Sequence, residues 1–202
     1  MRVLRINPSR VSVAALEKAA AVLRSGGVVA FPTETTYGLA VDPSCGDAVR
    51  RIFAIKGRAV TKPLPLVAAE AAAVRRAFAT GSGMKKLADR WPAPLTLILP
   101  RRPGLRLPAL MGRRGGAVRV PTSPWARALA QAAGGLVTST SANVSGGSNS
   151  YSGAAVRAAF AGRTQQPDLL LDAGPLPKRP PSTIVAVRLG RPVVLRQGEE
   201  RV

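Results

Sequence analysis

Four groups of residues in this chain carry functional groups suited to chemistry: Thr33, Thr35, Thr36 and Tyr37 around the lone carboxylate Glu34; the cations Lys56, Arg58 and Lys62; the polar run Ser139, Ser141 and Asn143; and a late pair, Ser182 and Arg196. Hydroxyls and an amide beside two lysines and an arginine make an anion site with directional donors, the set that a polyphosphate or a carboxylate requires. A unit charge pair ~4 Å apart interacts by about 4 kcal/mol at an effective dielectric of ~20, so converging cations repel one another unless an anion lies between them. There is no Walker A glycine-lysine loop and no GxGxxG after a strand, which sets the site apart from P-loop and Rossmann nucleotide sites. With no histidine, one cysteine and 10 acidic residues, the chain has nothing from which to build a zinc site or a Ser-His-Asp triad.

Apolar periodicity gives the elements that must hold these groups. Val28–Phe31 reads as a buried strand that ends at Pro32 in the hydroxyl cluster, and Leu39–Val41 as the next run. Val49, Ile52 and Phe53 recur at i, i+3, i+4 of a helix, and one more turn of that face reaches Lys56. An unpaired lysine in a dry core costs several kcal/mol, so the ammonium is expected to point into a polar cleft. Lysine is scarce, confined to Lys18, Lys56, Lys62, Lys85, Lys86 and Lys178. Two of these flank Arg58, which hints at positions needing a point charge instead of a planar guanidinium.

Val3–Ile6 reads as an edge strand, and Ser12 as the N-cap of a helix with Val13, Leu16, Ala20 and Leu23 facing the core, stopped by Gly26-Gly27. Leu64–Ala68 is expected as a strand, Ala69–Phe78 and Met84–Trp91 as helices, and Leu95–Leu99 as an interior strand. The basic segment Arg101–Gly116, broken by prolines and glycines, reads as a loop, either solvated or facing phosphate. Ala117–Val120 is a strand in which alternation sets Arg119 opposite Val118 and Val120, as an ordinary solvent-facing residue or as a ligand. Helices over Trp125–Ala133 and Gly153–Phe160, and strands over Leu136–Thr140, Leu169–Asp172, Thr183–Val187 and Val193–Arg196, complete the pattern. With no repeat, no long linker and no second core, residues 1–202 are expected to form one mixed α/β domain whose polar strand ends gather ligands.

An apolar content of 46% over 202 residues suits one sizeable core. No apolar run approaches the ~18 residues of a membrane span. The basic N-terminus runs into Glu17 and Lys18 instead of an apolar signal segment, and the single cysteine agrees with a reducing compartment. A cytoplasmic protein with no membrane partner is expected. The net charge of +20 points to an anionic partner, nucleotide, RNA or both, although part of the arginine excess belongs to a chain dense in Ala, Gly, Pro and Arg.

The fragments PTETTYGLAVDPSC, KGRAVTKPLPL, WPAPLTLILP, AVRVP, STSANVSGG, PSTIV and VLRQG, in that order, resemble the YrdC-type threonylcarbamoyl-AMP synthase family over roughly the whole chain, in its short single-domain form. The resemblance implies a twisted mixed sheet with flanking helices and a large basic cleft. It implies a nucleotidyltransferase that makes L-threonylcarbamoyladenylate and pyrophosphate from L-threonine, bicarbonate or CO2, and ATP, for threonylcarbamoyl modification of adenosine 37 in tRNA. Affinity for tRNA and downstream threonylcarbamoyl-transferase proteins as partners are implied with it. Carried over residue by residue, Thr35, Arg119, Ser139 and Ser182, joined by Thr33 and Tyr37 of the same hydroxyl cluster, would hold threonine. Arg58, Lys62, Ser141, Asn143 and Arg196 would hold ATP, with Lys56 between the two substrates and Lys56 and Arg58 as the catalytic cations. Many relatives place a histidine against threonine near the position of Val67, and this chain has none.

Such a reaction needs no enzyme nucleophile. The amine captures CO2, a carbamate oxygen attacks the α-phosphorus, and the protein aligns the attack, neutralises phosphoryl charge and excludes water. Mg2+ is expected on the phosphates, held mostly by ATP and water, with no protein metal site. Glu34 is expected to steady its turn, with a role as a base left open. Lys56→Ala or Arg58→Ala is expected to abolish adenylate formation with the fold intact. Two other readings compete: a non-catalytic double-stranded RNA- or tRNA-binding protein, from the charge, and a carbamoyl-transfer domain of the kind used in hydrogenase maturation, which normally sits beside zinc-finger and acylphosphatase-like parts.

Overall fold

Short apolar runs, each closed by Gly, Pro or a hydroxyl, can be satisfied only by pairing with one another at long range. The computed structural model, which describes residues 1–60, 63–110, 113–188 and 191–202, pairs them into two mixed sheets instead of the single sheet expected. The first runs β1 (Arg2–Arg5), β9 (Leu169–Asp172), β2 (Val29–Pro32), β3 (Tyr37–Ala40) and β8 (Thr140–Ser141). The second runs β11 (Arg191–Arg196), β10 (Thr183–Arg188), β5 (Leu95–Pro100), β6 (Gly115–Arg119), β4 (Leu66–Ala68) and β7 (Leu136–Thr138).

Strand alternation divides the apolar side chains between two cores. Helices α1 (Val13–Arg24) and α5 (Pro124–Ala132) send Ala19, Val22, Leu23, Trp125 and Leu129 against Val29, Phe31, Ala40, Val67 and Leu171. A larger core gathers α2 (Gly46–Lys56), α3 (Ala71–Ala77), α4 (Ser82–Ala88) and α6 (Gly153–Phe160) on Ala30, Leu39, Leu66, Leu97, Val118 and Val185. The first sheet therefore has apolar residues on both faces, and the second buries Leu95, Leu97, Leu99 and Val118 in the larger core.

Several boundaries differ from expectation for identifiable reasons. Ser12 does cap α1, its hydroxyl accepting the Ala15 N–H at 3.4 Å, but Val13 is 69% exposed and the packed stripe runs through Leu16, Ala19, Val22 and Leu23. The strand expected from Leu64 begins at Leu66, because Pro65 brings no N–H to the ladder and the Leu64 N–H is drawn off to the Ala109 carbonyl at 2.9 Å. Helix α4 ends at Ala88, ahead of Trp91, which precedes proline and is pushed out of helical geometry. The basic loop is interrupted by a 3-10 turn at Pro108–Leu110, and its last glycines start β6.

The most consequential difference concerns Leu136–Thr140, expected as one strand. The segment changes sheets. β7 pairs antiparallel with β4, Thr138 facing Leu66, whereas β8 pairs antiparallel with β3, Thr140 facing Leu39. Thr138 is the staple between the layers: its N–H donates to the Val41 carbonyl at 3.1 Å and its hydroxyl accepts the Val41 N–H at 3.0 Å. Ser139, between the two short strands, turns its own N–H to the Pro65 carbonyl at 2.8 Å. The sheets meet at this crossing, and the site lies beside it.

Candidate active site

Residues from both sheets enclose a cavity of about 280 Å³. Thr33, Thr35, Tyr37 and Gly38 supply one wall from the β2–β3 hairpin, and Thr140 and Ser141 extend it. The second sheet supplies Thr96, Ala117, Arg119 and Ile184; Ser182 and Arg196 close the far end, and Ser139 sits at the join. The volume falls just below the ~300–1,000 Å³ usual for small-molecule sites, so it suits an occupant the size of an amino acid, and a nucleotide would have to extend past its mouth.

The hairpin tip is built by its own hydroxyls. Thr33 Oγ1 donates to the Thr36 carbonyl at 2.7 Å and accepts the Thr35 and Thr36 N–H groups, each at 3.2 Å. Thr36 Oγ1 donates to the Ser150 carbonyl at 2.7 Å, tying the tip to the loop after β8. Tyr37 is fully buried, and its hydroxyl accepts the Ala173 N–H at 2.9 Å while donating to the Gly174 carbonyl at 2.8 Å. Burial above all pushes its pKa up to about 12, so it neither titrates nor moves a proton near neutrality. The phenol secures the 173–174 turn, and only the ring is left for the cavity wall. Tyr37→Phe should accordingly cost about 1–3 kcal/mol of stability, a drop of ~2–12 °C in Tm, through the partners left unpaired. An unchanged melting curve would show that water replaces the hydroxyl.

Arg119 corrects one of the two readings given to it. It does lie opposite Val118 and Val120, but that face looks into the cavity and not into solvent: Arg119 is only 8% exposed. Its guanidinium pairs with the carboxylate of Glu34, which also accepts the Ser123 N–H at 3.4 Å. Glu34 therefore orients a cation as well as belonging to its turn. Arg196 donates from Nε and a terminal nitrogen to the Ser182 carbonyl at 3.1 and 2.7 Å. Burial first, then the nearby charge of Arg119, lowers the pKa of Arg196. Two guanidiniums close enough to repel, with one carboxylate between them and the rest of the chain, leave the cavity net positive and suited to an anion.

Thr96 was not anticipated. Its hydroxyl lies 2.9 Å from that of Ser182, and both line the cavity. The available signal was the single polar residue in Leu95–Leu99: Leu95, Leu97 and Leu99 face the core, so Thr96 must face away from it. At the position compared with the family histidine, Val67 is buried in the same core as Phe31 and Trp125, while its neighbour Leu66 touches the cavity.

Lys56, Arg58 and Asn143 do not line this cavity; Lys56 and Asn143 are hydrogen-bonded to its Ser141 wall. Gly57 ends α2 with φ +58°, a left-handed cap that lets the chain turn at once after Lys56. Lys56 is 3% exposed, and its ammonium donates to the Ser141 carbonyl (2.6 Å), the Asn143 carbonyl (2.9 Å) and Asn143 Oδ1 (3.0 Å). Asn143 Oδ1 also accepts from Ser141 Oγ at 2.6 Å, and its amide nitrogen donates to the Gly147 carbonyl. The expected polar cleft for Lys56 is thus a nest of loop oxygens that uses all three of its N–H bonds. Burial, and then the charge of Arg58, push its pKa down to about 8. Arg58 is half-buried, and Lys62 lies outside the described residues.

Among the described residues no group of three or more His, Cys, Asp or Glu could hold a metal ion. Glu34, the carboxylate nearest the cavity cations, is already taken by Arg119.

Residues 21–198 match the Sua5/YciO/YrdC family model, described as "Telomere recombination". A threonylcarbamoyl-AMP synthase of Halorhodospira halophila is 44% identical over 149 residues, which cover 72% of this chain and 77% of that protein. A threonylcarbamoyl-AMP synthase of Bacillus subtilis is 36% identical over 188 residues, 91% of this chain and 53% of its own length. The crystal structure of P. abyssi Sua5 complexed with L-threonine superposes with a TM-score of 0.89 at 31% identity, covering 98% of this chain and 58% of that one. The chain thus spans little more than half the length of these last two proteins. The whole cavity wall, from Thr33 to Arg196, falls inside the matched residues: the chain belongs to the Sua5/YciO/YrdC family.

Proposed function

We propose that the chain is an L-threonylcarbamoyladenylate synthase, forming the adenylate and pyrophosphate from L-threonine, bicarbonate or CO2, and ATP. The observation that carries this reading is the amino-acid-sized cavity in which Arg119 and Arg196 face one another amid hydroxyls, in a chain whose relatives are named threonylcarbamoyl-AMP synthases. Arg119, steadied by Glu34, takes the threonine carboxylate, and Thr35, Ser139 and Ser182 supply hydroxyls to its polar groups. The neutral form of the amine adds to CO2 and gives up one proton to water, leaving a carbamate. A carbamate oxygen then attacks the α-phosphorus and pyrophosphate leaves. Arg196 and Ser141, at the cavity edge, meet the nucleotide, with Arg58 and Lys62 along the triphosphate. Mg2+ accompanies ATP as its counter-ion, on phosphate oxygens and water, because the carboxylate at hand is engaged. Lys56 and Asn143 hold the loop that presents Ser141, a change from the direct role first given to them.

A purely RNA-binding protein is not favoured, since it leaves the pocket between Arg119 and Arg196 without purpose. RNA affinity is instead an addition: the charge of +20 suits tRNA, and an unstable product calls for a downstream transferase. No helix among the described residues is long and apolar enough to cross a membrane, and we place the reaction in the cytoplasm. Purified chain with labelled bicarbonate, ATP and magnesium should release pyrophosphate only when threonine is added. Release that ignores threonine would overturn the assignment.

A further inference from the structure

The segment after β11 is tied back onto the wall that carries Ser182. The Gly198 N–H donates to the Thr183 hydroxyl at 2.9 Å, and that hydroxyl donates onward to the Glu200 carbonyl. The Glu199 N–H donates to the Pro181 carbonyl at 3.0 Å, and Gln197 Nε2 to the Glu200 carbonyl at 2.9 Å. From outside, Arg90 pairs with Glu200 and donates to the Arg201 carbonyl at 2.8 Å, while Arg179 pairs with Glu199 at 3.0 Å. The approach is closest at Gly198: a Cβ there would fall 2.0 Å from the Pro181 carbonyl oxygen, 2.6 Å from the Ser182 carbonyl carbon and 2.7 Å from the Thr183 nitrogen. These are backbone atoms, so they cannot swing aside as a side chain would.

Pro181 and Ser182 line the cavity, whereas Gln197, Gly198 and Glu199 do not. The Ser182 carbonyl holds the Arg196 guanidinium, and the Ser182 hydroxyl meets both Arg196, at 3.2 Å, and Thr96, at 2.9 Å. Any shift of the 181–183 backbone therefore moves a serine and an arginine of the wall together. We propose that residues 197–201 form a strap that sets the position of the Ser182–Arg196 wall, with Gly198 and Thr183 as positioning residues that act through that wall without touching substrate. Thr183 is fully buried and has its backbone N–H on the Pro94 carbonyl at 2.9 Å, so its hydroxyl is free to join the strap to strand β10 from the inside. This inference rests on the threonine and ATP reading of the cavity.

The test uses the full chain and the variants Gly198→Ala, Thr183→Val and Thr183→Ser, with kcat and KM for threonine and ATP, calorimetric binding of each substrate, and Tm. Gly198→Ala should raise KM for threonine or ATP about tenfold or more with kcat within about twofold, because ground-state and transition-state contacts to the wall are lost alike. Thr183→Val should move KM the same way and Thr183→Ser restore it, a rescue that general loosening of the fold would not produce. If Gly198→Ala fails to fold, the Thr183 pair decides. Wild-type KM and wild-type binding in folded Gly198→Ala or Thr183→Val would overturn the strap, as would a loss confined to kcat. A wild-type chain that binds both substrates yet releases no pyrophosphate sinks the functional reading alone, leaving calorimetry to judge the strap; one that binds neither sinks both.

Discussion

Arg119→Gln is expected to lower threonine-dependent pyrophosphate release a hundredfold or more, chiefly through the KM for threonine. Truncating one member of a buried, hydrogen-bonded charge pair costs about 2–5 kcal/mol, and each ~1.4 kcal/mol is a factor of ten. Arg119 is buried, faces the cavity and is aimed by Glu34, so little solvent is present to screen the loss. The single change also strands the Glu34 carboxylate, which should lower stability by about 3–5 kcal/mol. A second variant separates the two effects. Glu34→Gln combined with Arg119→Gln removes both charges, and most of the stability should return while turnover does not. Thermal melts and steady-state kinetics on the two variants and the wild type decide it: recovery of turnover in the double variant would mean that Arg119 serves only to neutralise Glu34.

Lys56→Ala should cost stability and activity together, which revises the expectation that the fold would survive intact. The change leaves the Ser141 and Asn143 carbonyls without the donor that joins α2 to the loop after β8. Unsatisfied buried acceptors cost about 1–3 kcal/mol each, partly offset by release from burying a charge; a net loss of about 3 kcal/mol lowers Tm by ~6–12 °C. Loss of activity at temperatures well below the lowered Tm then reports the misplaced Ser141. The wild-type lysine leaves a further mark on pH dependence. Its folded pKa of about 8 lies below the ordinary 10.5, so between these values the unfolded chain binds more protons, and stability rises with pH across that window. The rise, on the order of 3 kcal/mol for a fully buried group, should vanish in Lys56→Met. A denaturation midpoint in urea that stays flat between those pH values in the wild type would contradict the buried ammonium.

Much of this could be read from the residues in order. Gly153–Phe160 and Leu169–Asp172 fall where local periodicity and caps place them, and the polar ends of Val28–Phe31 and of the 136–140 run do mark the cavity. Local spacing cannot say which sheet a strand joins, however, because pairing is settled by partners far away in the chain. Leu136–Ser141 looks uniform, yet its halves answer to Leu66 and to Leu39 in different layers. The partners of Lys56 are loop oxygens beyond residue 140, so its inward placement was legible while its partners were not. For Arg119 alternation gave the face, but only the second layer of the fold turned that face from solvent into a pocket.

Because the 136–141 segment is shared by both layers, the pocket has no independent tolerance along that seam. Removing Ser139 would force one of two losses: with Thr138 kept on Val41, Ser141 slides to the position of Thr140 and its side chain changes face, whereas with β8 kept in register Thr138 is drawn off the Val41 staple. The length of this seam behaves as a fixed dimension, like the pin of a joint whose two leaves cannot be re-hung separately.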